Sequence, residues 1–297
     1  MPDRPQPHPL SVWPTGQRSP LGQLRDTGCV PGTETDHERI PPAVAAHAIA
    51  TYTRPGDLVL DPDCGAGTVL AEALRADRHA LGLTAHSTWW PLARANITAA
   101  KATGAARDGS VLDAQPKVLT TIRAAGLIGR VGLILATPRT PPDHTISPDH
   151  DPAESAINHL AATLLHCEPL LCSGGYLVVI APPLRHPDGA LVNLAPLTTA
   201  GTSAGLALVD RCVALTAALR GNRLITRASL AERRTAARAR AVGAPTVLTA
   251  HHEVLVFQPA HEVELAAVAA GVPGATQHAI TRSAINKITT IGWRRGA

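Results

Sequence analysis

The stretch LVLDPDCGAGT, Leu58 to Thr68, decides the reading of this chain. An apolar run, Leu58, Val59 and Leu60, ends in Asp61 and Pro62; Gly65 and Gly67 follow, and a helical pattern opens at Thr68. Strand, acidic end, glycine turn and helix in that order form the first unit of a nucleotide-type α/β site. A side chain at either glycine would hold a ligand off the backbone. A carboxylate at Asp61 can take charge-assisted hydrogen bonds from a ligand's ammonium or hydroxyl. G-x-G alone is common in sheet-to-helix turns for packing reasons, whereas the DP-x-x-G-x-GT form is much narrower.

Working outward, strands and helices alternate. Apolar runs predict strands at Leu58–Asp61, Ala80–Thr84, Ser110–Leu112, Val131–Ala136, Tyr176–Ala181, Leu206–Val213 and Glu253–Phe257. Helical spacing predicts helices over Pro42–Tyr52, Thr68–Arg75, Pro91–Thr103, Pro116–Ala125, Ala153–Leu171, Leu194–Ala204 and Ser229–Ala241. Such alternation argues for an α/β fold with a parallel sheet covered on both faces. Residues 1–40, rich in Pro, Thr, Asp and Gly, read as irregular; 41–257 form the main domain and 258–297 a helical extension.

Of the 297 residues, 45% are hydrophobic but only 2% aromatic, so the core is built from Ala, Val, Leu and Ile. The net charge of +4 permits a polyanionic partner without demanding one. Five cysteines, Cys29, Cys64, Cys167, Cys172 and Cys212, with no C-x-x-C, fit a reducing cytoplasmic setting and indicate neither a disulfide framework nor a zinc site. The N-terminus MPDRPQPHPL has no apolar signal region. The longest apolar region, Leu160 to Pro183, is broken by His166, Glu168 and Ser173-Gly174-Gly175, which speaks against a membrane span.

The DPDCGAGT loop resembles the cofactor loop of S-adenosylmethionine-dependent methyltransferases. HERIPPAVAAHAIATYTRPGD (His37 to Asp57) is similar to the helix ahead of that loop in DNA amino-methyltransferases. Asp113-Ala114 resembles the pair whose acid faces the cofactor's adenine amine, and LLCSGGYLVVIAPP (Leu170 to Pro183) the family's glycine turn and fifth strand. SVWPTGQ near the start, with RCVAL, RLITRASL and HHEVLVF toward the end, resembles a bacterial group of DNA methylases related to tRNA guanosine methyltransferases. The resemblance implies a Rossmann-like class I methyltransferase: a doubly wound, seven-stranded, mostly parallel sheet with an antiparallel last strand. It implies S-adenosyl-L-methionine as cofactor, held by Asp61, Pro62, Gly65, Gly67, Thr68, Thr84 and Asp113, and a nucleic-acid partner, DNA ahead of RNA.

Two positions depart from the family pattern. The second strand ends in Thr84 where the family has an acid for the ribose hydroxyls; a hydroxyl lacks a carboxylate's charge-assisted strength. The fourth strand leads into Thr137-Pro138-Arg139-Thr140, where the family has Asp, Asn or Ser, then Pro-Pro, then Tyr or Phe. In the family the polar side chain and a backbone carbonyl accept the two hydrogens of an exocyclic amine, while the ring stacks on the extruded base. Thr137 keeps an acceptor and Pro138 the first proline. The missing ring costs about 1–3 kcal/mol of stacking. Arg139 either stacks through its guanidinium plane or fills and blocks the pocket. A shifted alignment would present Asp143 beside Pro141-Pro142. Three functions follow: N-methylation of a base amine, a catalytically inactive relative that binds nucleic acid or regulates, or methylation of a small molecule or protein, which would need no base-stacking ring.

Other features carry two readings each. Asp143, His144, Asp149, His150 and Asp151 have metal-ligand chemistry but read as a solvated loop, so no metal is assigned. Trp89-Trp90 either flank the adenine or pack the helix on the sheet. Cys64 reads as a small residue in a tight turn. Arg233, Arg234, Arg238 and Arg240 form a helical stripe that suits phosphates or solvent equally. AVAAGVPGATQHAIT (Ala267 to Thr281) resembles a helix-turn-helix or, alternatively, is an Ala-rich cap.

Overall fold

A computed structural model describes residues 9–121, 126–141, 151–186, 188–244 and 247–270. Ten strands are described: β1 (Val12–Trp13), β2 (Leu58–Asp61), β3 (His79–Thr84), β4 (Gly109–Asp113), β5 (Val131–Ala136), β6 (Leu171–Ala181), β7 (Leu206–Leu215), β8 (Ala218–Arg220), β9 (Arg223–Ile225) and β10 (His251–Pro259). The helices are α1 (Pro20–Thr27), α2 (Pro42–Tyr52), α3 (Thr68–Arg75), α4 (Trp89–Ala102), α5 (Pro152–Leu164), α6 (Ala195–Ser203), α7 (Leu230–Ala241) and α8 (Ala260–Ala269).

Eight strands form one sheet in the order β1-β7-β10-β6-β5-β2-β3-β4. β10 is antiparallel to both β6 and β7, and the other pairings are parallel. The expected seven-stranded sheet with its antiparallel last strand is present, and β1 adds an eighth, edge strand. From β2 the chain winds outward through β3 and β4, then returns to lay β5 on the other side. The switch point therefore falls between Asp61 and Ala136, where such sheets bind ligands.

The layers follow from residue pattern. β5, VGLILA, is buried at all six positions, as befits a parallel strand covered on both faces. One core joins Val44, Ile49, Val69, Leu70, Leu74 and Ile97 to the sheet face under α2, α3 and α4. The other joins Ile157, Leu160, Leu164, Leu197 and Phe257 to the opposite face under α5 and α6.

The stretch expected to be irregular, 1–40, holds more order over its described part. Ser19 caps α1 by accepting from the Gly22 N–H, Pro20 opens the helix, and Gly28 ends it in the left-handed conformation. Trp13 is in the core against His47 and Tyr52, with its Nε1–H donating to the Leu10 carbonyl. The helix expected over Pro116–Ala125 is a 3₁₀ turn at Pro116–Thr120 where described, and that over Ala153–Leu171 stops at Leu164. Asp143, His144, Asp149 and His150 lie outside the described residues, as does the helix-turn-helix resemblance from residue 271 onward. No described helix is long and apolar enough to cross a membrane.

Candidate active site

A cavity of about 660 Å³ opens at the carboxyl edge of the sheet. Ala85, His86 and Trp89, between β3 and α4, line one wall; Gln115, Pro116 and Lys117, after β4, line the next. The floor is Asp63 of the glycine loop, and the far side is Arg139, Thr140 and His159. Volume and lining suit a nucleoside-sized ligand.

The glycine loop is pinned by the protein's own carboxylate. Asp36 Oδ2 accepts the Ala66 N–H at 2.9 Å, and the Arg139 guanidinium grips Asp36 through Nη1 at 3.3 Å and Nη2 at 3.0 Å. Arg139 Nε lies 3.8 Å from Asp63 Oδ1. Arg139 is 5% and Asp36 1% exposed, so this is a buried, nearly bidentate pair. It explains Gly65: a Cβ there would lie 2.2 Å from Asp36 Oδ2 and 2.5 Å from Arg139 Nη2. Gly67 has φ +81°, and a Cβ would come within 3.0 Å of Ala93 on α4. Side-chain-free space at both glycines is filled from within the chain, by the ion pair at Gly65 and by helix packing at Gly67.

Asp61 is 4% exposed, and its Oδ1 accepts only the Asp63 N–H, at 3.2 Å, among the described contacts. Burial, aided by the Asp63 charge and opposed by Arg139, pushes its pKa up to about 8. A buried carboxyl in that state is stabilised by an arriving cation. Burial also raises the pKa of Asp63, against the pull of Arg139 and His159. The ammonium and sulfonium of S-adenosylmethionine are the kind of cationic groups this acid set would accept, and the nucleoside-sized cavity fits its adenosine.

The remaining predicted cofactor residues are spread around this edge. Pro62 is buried beside Thr137. Thr68 is buried, and its hydroxyl donates to the Ile40 carbonyl at 3.1 Å, tying the segment before α2 to the loop. Thr84 is also buried, and its oxygen accepts the His86 N–H at 3.4 Å, so its bond is spent on the local turn. Asp113 stands opposite Thr84 in the β3–β4 register and is exposed. Cys64 is buried, and burial holds its thiol well above the ordinary range, which fits a packing role. Of the two tryptophans, Trp89 lines the cavity, while Trp90 carries Arg94 over its ring at 4.6 Å.

The fourth-strand tetrapeptide is divided. Arg139 and Thr140 line the cavity, and both are held by acids of the N-terminal segment. Arg139 holds Asp36, and Glu38 Oε1 accepts from the Thr140 backbone N–H at 2.9 Å and from its hydroxyl at 2.5 Å. Pro138 is buried. Thr137 faces a separate slot of only about 10 Å³, shared with Pro62, Asp63, His159 and Leu160. Arg139 lies over the glycine loop with its guanidinium on Asp36 and near Asp63.

Asp36, Glu38, Asp63 and His159 escaped the sequence reading. His159 lies on α5 with Nε2 3.9 Å from Asp63 Oδ2, and it lines both the cavity and the Thr137 slot. The one available signal was Arg139 itself: a cation in an apolar strand-end loop requires a buried carboxylate. Among the described residues no cluster of three or more His, Cys, Asp or Glu could hold a metal ion.

Residues 6–93 match the family model described as DNA methylase, of the N6/N4 type. The match covers the Asp36 segment and the glycine loop and ends within α4, before the tetrapeptide. Among solved structures the chain is similar to TrmN from Thermus thermophilus, with 20% identity, TM-score 0.48, and coverage of 80% of this chain and 53% of that one. It is also similar to a SAM-dependent methyltransferase from Agrobacterium tumefaciens (15%, 0.47, 75% and 63%) and to one from Geobacter sulfurreducens in complex with S-adenosyl-L-homocysteine (14%, 0.44, 76% and 96%). The chain thus spans about half the length of TrmN. At these identities and TM-scores the likenesses carry nothing about substrate. The sheet order and the glycine loop make this a Rossmann-like α/β fold, and over residues 6–93 the chain matches the DNA methylase family.

Proposed function

We propose that the protein transfers a methyl group to an exocyclic amine of a nucleic-acid base, DNA ahead of RNA. The observation that carries this reading is the cavity at the sheet's carboxyl edge, floored by Asp63 of the very loop that matches the DNA methylase family. When bound, S-adenosylmethionine supplies an electrophilic methyl group. Asp61 accepts its ammonium, with Gly65, Gly67, Pro62 and Thr68 shaping the loop beneath. His86 and Trp89 on one wall, and Gln115, Pro116 and Lys117 on the other, hold the adenosine. Asp113 accepts from the adenine amine, and Thr84 supports the ribose side through the His86 turn.

A base amine is a poor nucleophile, so its orientation dominates the rate. The amine enters past Thr140 and meets His159, which takes the proton the nitrogen sheds on methylation, with Asp63 stabilising the imidazolium. Thr137 and Pro138 fix the slot beneath His159.

A second reading is a catalytically inactive relative. The clasp favours it: Asp36–Arg139 and Glu38–Thr140 occupy the tetrapeptide residues that the active pattern leaves free for the base. Titration calorimetry with S-adenosylmethionine, followed by label transfer into duplex DNA and into tRNA, separates the two. Binding with transfer into a base amine supports the first. Binding without transfer to either nucleic acid, or no binding at millimolar cofactor, overturns the first and supports the second.

A further inference from the structure

The segment between β7 and β10 is built unlike the rest of the molecule. β10 is antiparallel to β6 and β7, so β7 runs with β6 and ends at Leu215 on the sheet's carboxyl edge, where the cavity opens. The chain departs there and returns at His251, which pairs with Leu215. In between lie the two-stranded sheet β8–β9, separate from the main one, and α7.

Residues 216–250 contain seven arginines (220, 223, 227, 233, 234, 238 and 240) and a single acid, Glu232. Three arginines build the arm. Arg220 and Arg227 bind Gln17 and the Gly16 and Gln17 carbonyls, while Arg233 binds the Thr226 and Ala228 carbonyls. The other four, Arg223, Arg234, Arg238 and Arg240, are exposed, and their side chains make no hydrogen bond or ion pair among the described residues. α7 has no buried residue at all. Its fold is secured locally, by Ser229 and Glu232 in a reciprocal capping box. At about 100° per residue its four arginines fall within an arc of about 160°. A helix with no core face, and with guanidinium groups on one side, matches a row of phosphates.

We infer that residues 216–244 form an arm that grips the phosphate backbone of duplex DNA and delivers it to the cavity edge. The inference rests on the nucleic-acid reading above. Guanidinium groups bond phosphate oxygens without reading bases, so the arm gives affinity rather than sequence choice.

The test is fluorescence anisotropy of a labelled DNA duplex with the full chain, titrated at several salt concentrations. The variant replaces Arg223, Arg234, Arg238 and Arg240 with Gln; calorimetry with S-adenosylmethionine and circular dichroism check that its fold is intact. Each lost phosphate contact makes the slope of log affinity against log salt shallower by about 0.9, so loss of four contacts should make it shallower by about 3.6, with affinity weakened more than tenfold at moderate salt. Arg130→Gln, before β5 at the opposite edge, should leave the slope unchanged. An unaltered slope in the fourfold variant, or no wild-type binding to either duplex DNA or duplex RNA, overturns the arm. Arm-dependent binding to duplex RNA but not DNA overturns the choice of DNA. Arm-dependent DNA binding without methyl transfer overturns the proposed reaction and leaves the arm standing.

Discussion

Replacing Arg139 with Met tests the centre of the site most directly. The side chain keeps its length but loses its charge, leaving Asp36 and Asp63 facing a gap where the guanidinium stood at 3.0 and 3.8 Å. Removing one partner of a buried ion pair costs about 3–5 kcal/mol, because the remaining charge is stranded. At about 2–4 °C per kcal/mol for a domain of this size, the melting temperature should fall by about 6–20 °C. Urea unfolding followed by tryptophan fluorescence gives the free energy directly. The double variant Arg139→Met with Asp36→Asn leaves no stranded charge at that pair and should recover a substantial part of the loss. If Arg139→Met alone stays within about 1 kcal/mol of the wild type, the pair is not the brace described here, and the account of Gly65 fails with it.

Three further outcomes follow from the same geometry. The Asp61 pKa of about 8 lies above its unfolded value of 3.8, so the folded state holds a proton the unfolded chain releases between those values. Stability should therefore fall as pH rises from about 4 to 8, Asp61→Asn should remove that contribution, and superimposable pH profiles would refute it. Gly67→Ala places a Cβ at φ +81° and 3.0 Å from Ala93, and should cost about 2 kcal/mol or more in urea unfolding; a neutral result would mean α3 and α4 are not packed as described. His159→Gln should leave calorimetric cofactor binding intact while cutting label transfer about 100-fold at neutral pH, and unchanged transfer would remove His159 from the reaction.

Much of the sheet was legible because its signal is local. Leu58–Asp61, Val131–Ala136 and Thr68–Arg75 are found at the expected residues, since buried parallel strands and a glycine-opened helix announce themselves in short windows. β1 and α1 were not legible: one is two residues long, and the other has little apolar content and stands behind Pro and Ser, which read as loop. The site divides the same way. Asp61, Gly65 and Gly67 announced themselves by spacing. Asp36 and Arg139 stand 103 positions apart, and their pairing exists only because the tertiary fold lays the N-terminal segment across the end of β5. Thr84 and Thr137 were legible as residues but not as directions, because a hydroxyl's orientation is decided by whichever neighbouring N–H or wall the turn presents.

The clasp also has a lineage consequence. A proline at position 139 would need no counter-charge, and a phenylalanine at 140 would lack the hydroxyl that now donates to Glu38. Positions 36 and 139 are therefore a couple that must change together. Homologues that restore the family's proline in the tetrapeptide should have released Asp36. Those that keep Arg139 should keep Asp36, and with it a glycine at 65.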